Sequence, residues 1–270
     1  MYGSTSGNFK GGGGYADIET GYEPSGALYP GIDYSDNVLR WGFIRKVYGI
    51  LSTQIVLTAL VAAVIVFSQP VADFFAHNTL LLVLLALLPL ILLCPLYNYQ
   101  HHHPLNLVLL SLFTVFLSLS VGTSCAFIRG DVLLEALILT ATVALALTAY
   151  TFWAVKQGHD FSFLRPYLFV SLVVLVLWGI IQVCAYRTSQ LILSCFCGFQ
   201  IFFPLGPVSG TIFAAITTVI FSAYIIYDTE NLIRRFTFDE YIWASVSLYL
   251  DILNLFLALL NLLRGLQSNN

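Results

Sequence analysis

Three carboxylates stand inside apolar runs of this chain: Glu135, Asp228 and Asp251. An ionisable side chain at the centre of a bilayer costs about 2.5–3.5 kcal/mol even on the lenient insertion scale, and such residues mark ion pathways and proton relays. Glu135 lies about one turn into its run and can reach the interface, so a structural helix-to-helix bond explains it as well as a pathway does. Asp228 follows Tyr224 and Tyr227 near the end of one run, and Asp251 stands about ten residues into the next. If both runs are helices they form an antiparallel hairpin, and at about 1.5 Å per residue the two acids lie within about two turns of each other in depth. Two carboxylates brought together in low dielectric cannot both ionise easily and titrate as a pair. Such a pair admits three chemistries: a proton-sensitive latch, a cation site with oxygen ligands, or acid–base catalysis. Ca²⁺ takes several carboxylate and carbonyl oxygens, and Tyr249 and Asn254 on the helix of Asp251 are candidates to add to them. A plainer reading, two acids hydrogen-bonded to neighbouring tyrosines, stays open.

The remaining reactive residues carry less. The five cysteines (94, 125, 184, 195 and 197) lie in or beside apolar segments, and an odd number without a CxxC pair argues against a disulfide framework or a zinc site. Buried free thiols are the expectation. "HHH" at 101–103 follows Tyr97 and Tyr99 in a short connection. Three adjacent histidines cannot all face one metal on a regular helix, so a solvated loop that gains charge in mild acid is expected there.

The elements that must hold these acids are membrane helices. Of 270 residues 59% are apolar and only 9% charged, against roughly a quarter charged in soluble domains. Apolar stretches of about 18 residues or more recur, each long enough to cross about 30 Å of hydrocarbon as a helix. The composition therefore specifies an all-α polytopic membrane protein. No basic start followed by an apolar core and a cleavage site opens the chain, so no removable signal peptide is expected. Residues 1–40 hold "GGGG", five tyrosines and five acids; such a segment buries too little apolar surface to offset its ordering entropy and reads as a disordered tail. A membrane domain, 41–270, follows with seven spans at 46–68, 80–97, 105–127, 132–155, 166–186, 210–229 and 241–263. Pro89 and Pro95 should kink or end the second, where neighbouring helices can satisfy the freed carbonyls. With seven spans, eight of the eleven Lys and Arg fall on the side of the tail and three on the other. Basic residues collect in the cytoplasm, which places the N-terminus there. Partners are then the bilayer and other membrane proteins; nothing points to nucleic acid or a bound cofactor.

Several stretches resemble one family over nearly the whole chain beyond the tail: "GYEPS" (21–25), "RWGFIRKVYGILSTQIVLTA" (40–59), "IFFPLG" (201–206), "YIIYDTENLI" (224–233) and "DEYIWASVSLYLDILNLFLALL" (239–260). They are similar to the Lifeguard branch of the transmembrane Bax-inhibitor-motif family, in a plant-like version. The resemblance implies a seven-transmembrane-helix bundle around a central seventh helix and a pH-sensitive leak with Ca²⁺ as permeant ion. It also implies residence in internal membranes (endoplasmic reticulum, Golgi or vacuole) and suppression of programmed cell death. By motif, the buried aspartate pair that senses pH in a bacterial member falls on Asp228 and Asp251. The alternative function is a non-conducting membrane regulator that binds cell-death or stress-signalling proteins.

Two departures from the family pattern stand out. The bacterial latch uses an arginine on the second span, and "LLLVLLALLPLILLCPLYNY" has no basic residue. Closure here would then rest on the shared proton alone. In addition, "VCAYRTSQLILSCFCGFQ" (183–200) separates span five from "IFFPLG" and reads as an insertion. An intramembrane aspartyl protease is the rival of another class, but its GxGD half would have to be "LYLD" at 248–251, without the glycines that admit a peptide backbone. A seven-span receptor lacks the extended outer domain and disulfide cap it would be expected to show. The chain is expected not to be an enzyme.

Overall fold

The computed structural model describes residues 34–189 and 207–268. Among them every regular element is a helix: α1 Tyr34–Phe67, α2 Gln69–His77, α3 Thr79–Asn98, α4 Leu105–Cys125, α5 Gly130–Lys156, α6 Leu164–Ser189, α7 Pro207–Arg234 and α8 Tyr241–Ser268. Five of them (α1, α4, α5, α7 and α8) are long and apolar enough to cross a membrane, and α3 and α6 contribute the shorter apolar stretches Leu84–Asn98 and Leu164–Ile180. The chain is thus a polytopic, all-helical membrane protein. Within the described residues each expected span falls inside a helix, apart from residue 68 at the α1–α2 junction and residues 126–127 after α4.

Local chemistry sets the ends. Pro70 opens α2 in the first turn, where its missing N–H is not needed. This extra short helix fills a connection in which the sequence pattern placed nothing. Pro89 and Pro95 lie inside α3 without ending it, as is common where neighbouring helices pack on the gap. α5 stops at Gly158, whose φ of +87° admits the left-handed turn. The Gly158 amide then bonds the Val155 carbonyl and the His159 amide the Ala154 carbonyl, each at 3.0 Å, the paired closure that satisfies a helix's last carbonyls.

α1 begins at Tyr34, earlier than expected, so residues 34–40 of the presumed tail are helical. The cause is tertiary: the Arg40 guanidinium donates to the Phe236 carbonyl and sits 5.2 Å over the Phe238 ring. The helix start is thereby tied to the connection before α8. Residues 1–33 of the tail lie outside the described residues. So does most of the 183–200 segment, of which 183–189 continue α6.

α8 is the inner helix. It packs against α7, α5, α1 and α4, and more than half of its most apolar stretch is buried, against less than two-fifths in each of the other four long helices. Leu248, Tyr249, Leu255 and Leu260 are among its closed-off side chains. α1 and α4 approach closely at Gly122, where a Cβ would stand 2.7 Å from Ile65 Cδ1 and 3.1 Å from Ala62 Cα. Buried hydroxyls in this layer bond back to carbonyls one turn earlier, as Thr58 does to Gln54 and Thr114 to Leu110, so these hydroxyls are satisfied within their own helices.

Candidate functional site

The acid pair is built by the α7–α8 hairpin. Asp228 lies in the last two turns of α7, and the turn at 235–240 sends α8 back so that Asp251, in its third turn, comes alongside. The two carboxyl groups come close enough for their charges to act on each other. Asp251 is 5% exposed and its Oδ2 has no hydrogen-bond partner among the described residues, while Asp228 is half-buried and accepts from Asn231 Nδ2 at 3.1 Å. On the inner side of the hairpin Phe221, Ile225, Leu255 and Leu259 form a dry cluster with Ala144 of α5. Two acids against such a wall share a proton more readily than they hold two charges.

Tyr224, one turn before Asp228, lies close enough to both carboxyls for their charges to act on it. Its hydroxyl donates to the Leu168 carbonyl of α6 at 2.8 Å. Tyr224 and Tyr227 also line an open crevice of about 450 Å³ between α6 and α7, with Arg165, Pro166, Leu168 and Phe169 on the opposite wall. The Arg235 guanidinium lies 5.9 Å from the Tyr227 ring centre.

The structure sets Tyr249 and Glu135 apart from the pair and gives Asn254 a bond within its own helix. Tyr249 is fully buried on another face of α8: its hydroxyl meets Thr58 Oγ1 at 2.6 Å, Ser118 Oγ donates to that same Thr58 oxygen at 3.0 Å, and Gln54 Nε2 donates to Thr114 at 3.0 Å. It belongs to a polar seam between α1, α4 and α8. Asn254 spends its amide on the Leu250 carbonyl at 2.8 Å. Glu135 is exposed in the second turn of α5, at the end of that helix away from the 157–163 connection. Cys125 is buried as expected, but Cys94 is exposed, which suits a thiol facing lipid. Among the histidines, His103 meets the Tyr241 hydroxyl at 2.5 Å, and no group of three metal-binding side chains exists among the described residues.

Sequence reasoning missed Glu230. It is fully buried, accepts from the Phe161 amide at 3.1 Å and lies 3.9 Å from Arg234, whose other nitrogen donates to the Val155 carbonyl at 3.1 Å. Beside it, Arg235 reaches Asp160 at 3.6 Å. The Ser162 hydroxyl and amide both donate to Asp160, and with Arg235 they hold its carboxyl below the usual carboxylate range. This clamp fixes the 157–163 connection to the end of α7, one turn from Asp228. Its signal lay in "ENLIR", a Glu–Arg pair four residues apart on one helix face, passed over because Glu230 stands near a span end.

A family profile described as "Inhibitor of apoptosis-promoting Bax1" matches residues 40–269. The "BI1-like protein" of Arabidopsis thaliana is 51% identical over 254 residues, covering 94% of this chain and 91% of the relative. "Protein LIFEGUARD 4" of the same plant is 49% identical, with 93% and 96% covered. The "Golgi anti-apoptotic protein" of Vaccinia virus (strain Lister) is 36% identical, with 83% and 86% covered.

Proposed function

We propose that this chain, which belongs to the Bax1-inhibitor family and is similar to its plant Lifeguard members, is a pH-sensitive calcium leak of internal membranes that restrains programmed cell death. The observation that carries the reading is the approach of Asp228 and Asp251 to each other beside the apolar wall of the hairpin. A carboxyl pair there is costly to keep, and proton exchange with cation binding is the chemistry that two acids and an unpartnered Oδ2 supply. With a proton shared, the pair carries one charge instead of two and is held together beside Leu255 and Leu259. When the proton leaves, the repulsion of two charges in low dielectric presses the hairpin apart, and oxygen ligands become free for Ca²⁺. No basic residue of the second span takes part, since α3 has none.

Seven crossings, with α8 at the centre and α2 lying in a connection, are the topology proposed with it. The start of α1 and the connections at 99–104, 157–163 and 235–240 then share the cytoplasmic face, in keeping with the eight-to-three distribution of Lys and Arg. Names such as "Golgi anti-apoptotic protein" and "Bax inhibitor 1" among the relatives support the cell-death role and the internal membrane.

The test is flux from calcium-loaded vesicles that hold only this protein, measured from about pH 5 to pH 8, across the span in which a crowded carboxyl pair exchanges its proton. Wild-type flux should change through that range, and Asp228→Asn and Asp251→Asn should each flatten the profile. Unchanged profiles in both variants would remove the assignment. An absence of flux in the wild type, together with protection of cells from a death stimulus, would favour the non-conducting regulator.

A further inference from the structure

We infer that the crevice between α6 and α7 is the mouth through which the acid pair meets water, with Tyr224 as its lid and Arg165 as the charge that screens what enters. The inference rests on the reading of the pair as a cation path and adds to it a route and two residues. Its ground is placement. The crevice of about 450 Å³ opens outward and holds Tyr224 and Tyr227 on one wall. Tyr224 and Asp228 are four residues apart on α7, so their side chains lie on one face of the helix. The inner side of the hairpin is closed by Phe221, Ile225, Leu255 and Leu259. A route from the pair to the outside therefore runs past Tyr224 rather than through the bundle centre.

Tyr224 is suited to be a lid because its one hydroxyl bond crosses the gap. It donates to the Leu168 carbonyl of the opposite helix at 2.8 Å, and among the described residues α6 packs chiefly on α7. Beyond that bond Tyr224 rests on the edge of the Phe221–Leu255 cluster, so its displacement uncovers the carboxyls at the cost of one hydrogen bond and one edge contact. Arg165 lines the same opening and makes no ion pair among the described residues. The other charges near the mouth are Arg235, over the Tyr227 ring, and Asp160, which pairs with Arg235. An unpaired guanidinium about 8 Å from an entering divalent cation lowers the cation's local concentration about five-fold in water at low salt.

Two measurements decide it. In calcium-loaded vesicles, Arg165→Gln should raise flux about three- to five-fold at low salt, and the gain should shrink towards one at about 0.5 M salt, where the screening length is a few ångströms. Arg165→Lys should match wild type, and Tyr224→Phe should raise flux while its dependence on pH persists. Unchanged flux in Arg165→Gln and Tyr224→Phe, with Asp228→Asn still flattening the pH profile, would overturn the mouth and leave the acid pair in place. The second measurement does not need conduction. In an Asp228→Cys chain, site-resolved labelling by a cationic, water-soluble methanethiosulfonate should run several-fold faster when Tyr224 is Phe. It should also favour the cationic over an anionic reagent more strongly when Arg165 is Gln. Labelling indifferent to both substitutions refutes the inference whether or not the vesicles leak.

Discussion

Replacing Tyr249 by Phe separates the structural seam from the acid pair. The side chain is fully buried, and its hydroxyl meets Thr58 Oγ1 at 2.6 Å while Ser118 donates to that same oxygen at 3.0 Å. Thr58 also donates to the Gln54 carbonyl, so the loss of Tyr249 OH leaves it other partners. Side-chain hydrogen bonds between helices in a membrane average about 0.6 kcal/mol and reach about 1.7 kcal/mol at most. The bond here is short, buried and part of a network, which places it in the upper half of that range, at about 1–1.5 kcal/mol. A double-mutant cycle with Thr58→Val, read from reversible unfolding in mixed micelles, should return a coupling of about that size. The ring itself stays, so its edge contact with Phe113 at 6.3 Å and the packing volume are kept. The pH profile of flux should be untouched, because Tyr249 points into the α1–α4–α8 layer and not towards Asp251. Zero coupling together with a flattened pH profile would refute this reasoning and return Tyr249 to the acid site.

Three further outcomes follow from the same packing. Gly122→Val should destabilise the bundle by about 1–3 kcal/mol through overpacking against Ile65 and Ala62, seen as a lower unfolding midpoint in detergent. Glu230→Ala should cost about 1–3 kcal/mol, since it strips the half-buried Phe161 amide of its acceptor and Arg234 of its ion-pair partner; Glu230→Gln, which keeps an acceptor oxygen, should lose less. The Asp160 carboxyl is held low by Ser162 and Arg235, so its tie to the 157–163 connection is at full strength above an ordinary aspartate pKa of about 3.9 and is lost as pH falls through the lower folded value. Proteolysis of that connection should therefore stay constant from neutral pH to about pH 4 and rise only below it.

The all-helical class and the positions of the apolar helices were legible because the apolar runs are long and the breaks between them sharp. What escaped was set by contacts between distant parts of the chain. Tyr34–Arg40 reads as tail by composition, and it becomes helix because Arg40 finds Phe236 and Phe238 about two hundred residues later. The helix at Gln69–His77 is too short for any span criterion, and only its opening proline marks it. Cys94 and Glu135 were assigned by depth along a span, but depth does not tell which way a helix face turns, and both are exposed.

The acid pair itself was legible for a different reason. A carboxyl in a run such as "SLYLDILNLF" breaks the local rule that lipid-spanning helices exclude charge, and a broken rule is visible without knowing the fold. Tyr249 lies two positions from Asp251 and so turns to another face, whereas Asn254, three positions on, shares its side of the helix but spends its amide on the Leu250 carbonyl. The face is what the structure supplies. Asp251 at position i has Leu255 at i+4 and Leu259 at i+8 beneath it, so its stripe leads into a dry wall, while Asp228 at i has Tyr224 at i−4, whose hydroxyl reaches across to α6. The stripe of Asp228 also runs through Ile225 and Phe221 into that same wall, so what distinguishes α7 is the polar end of Tyr224, turned outward to α6.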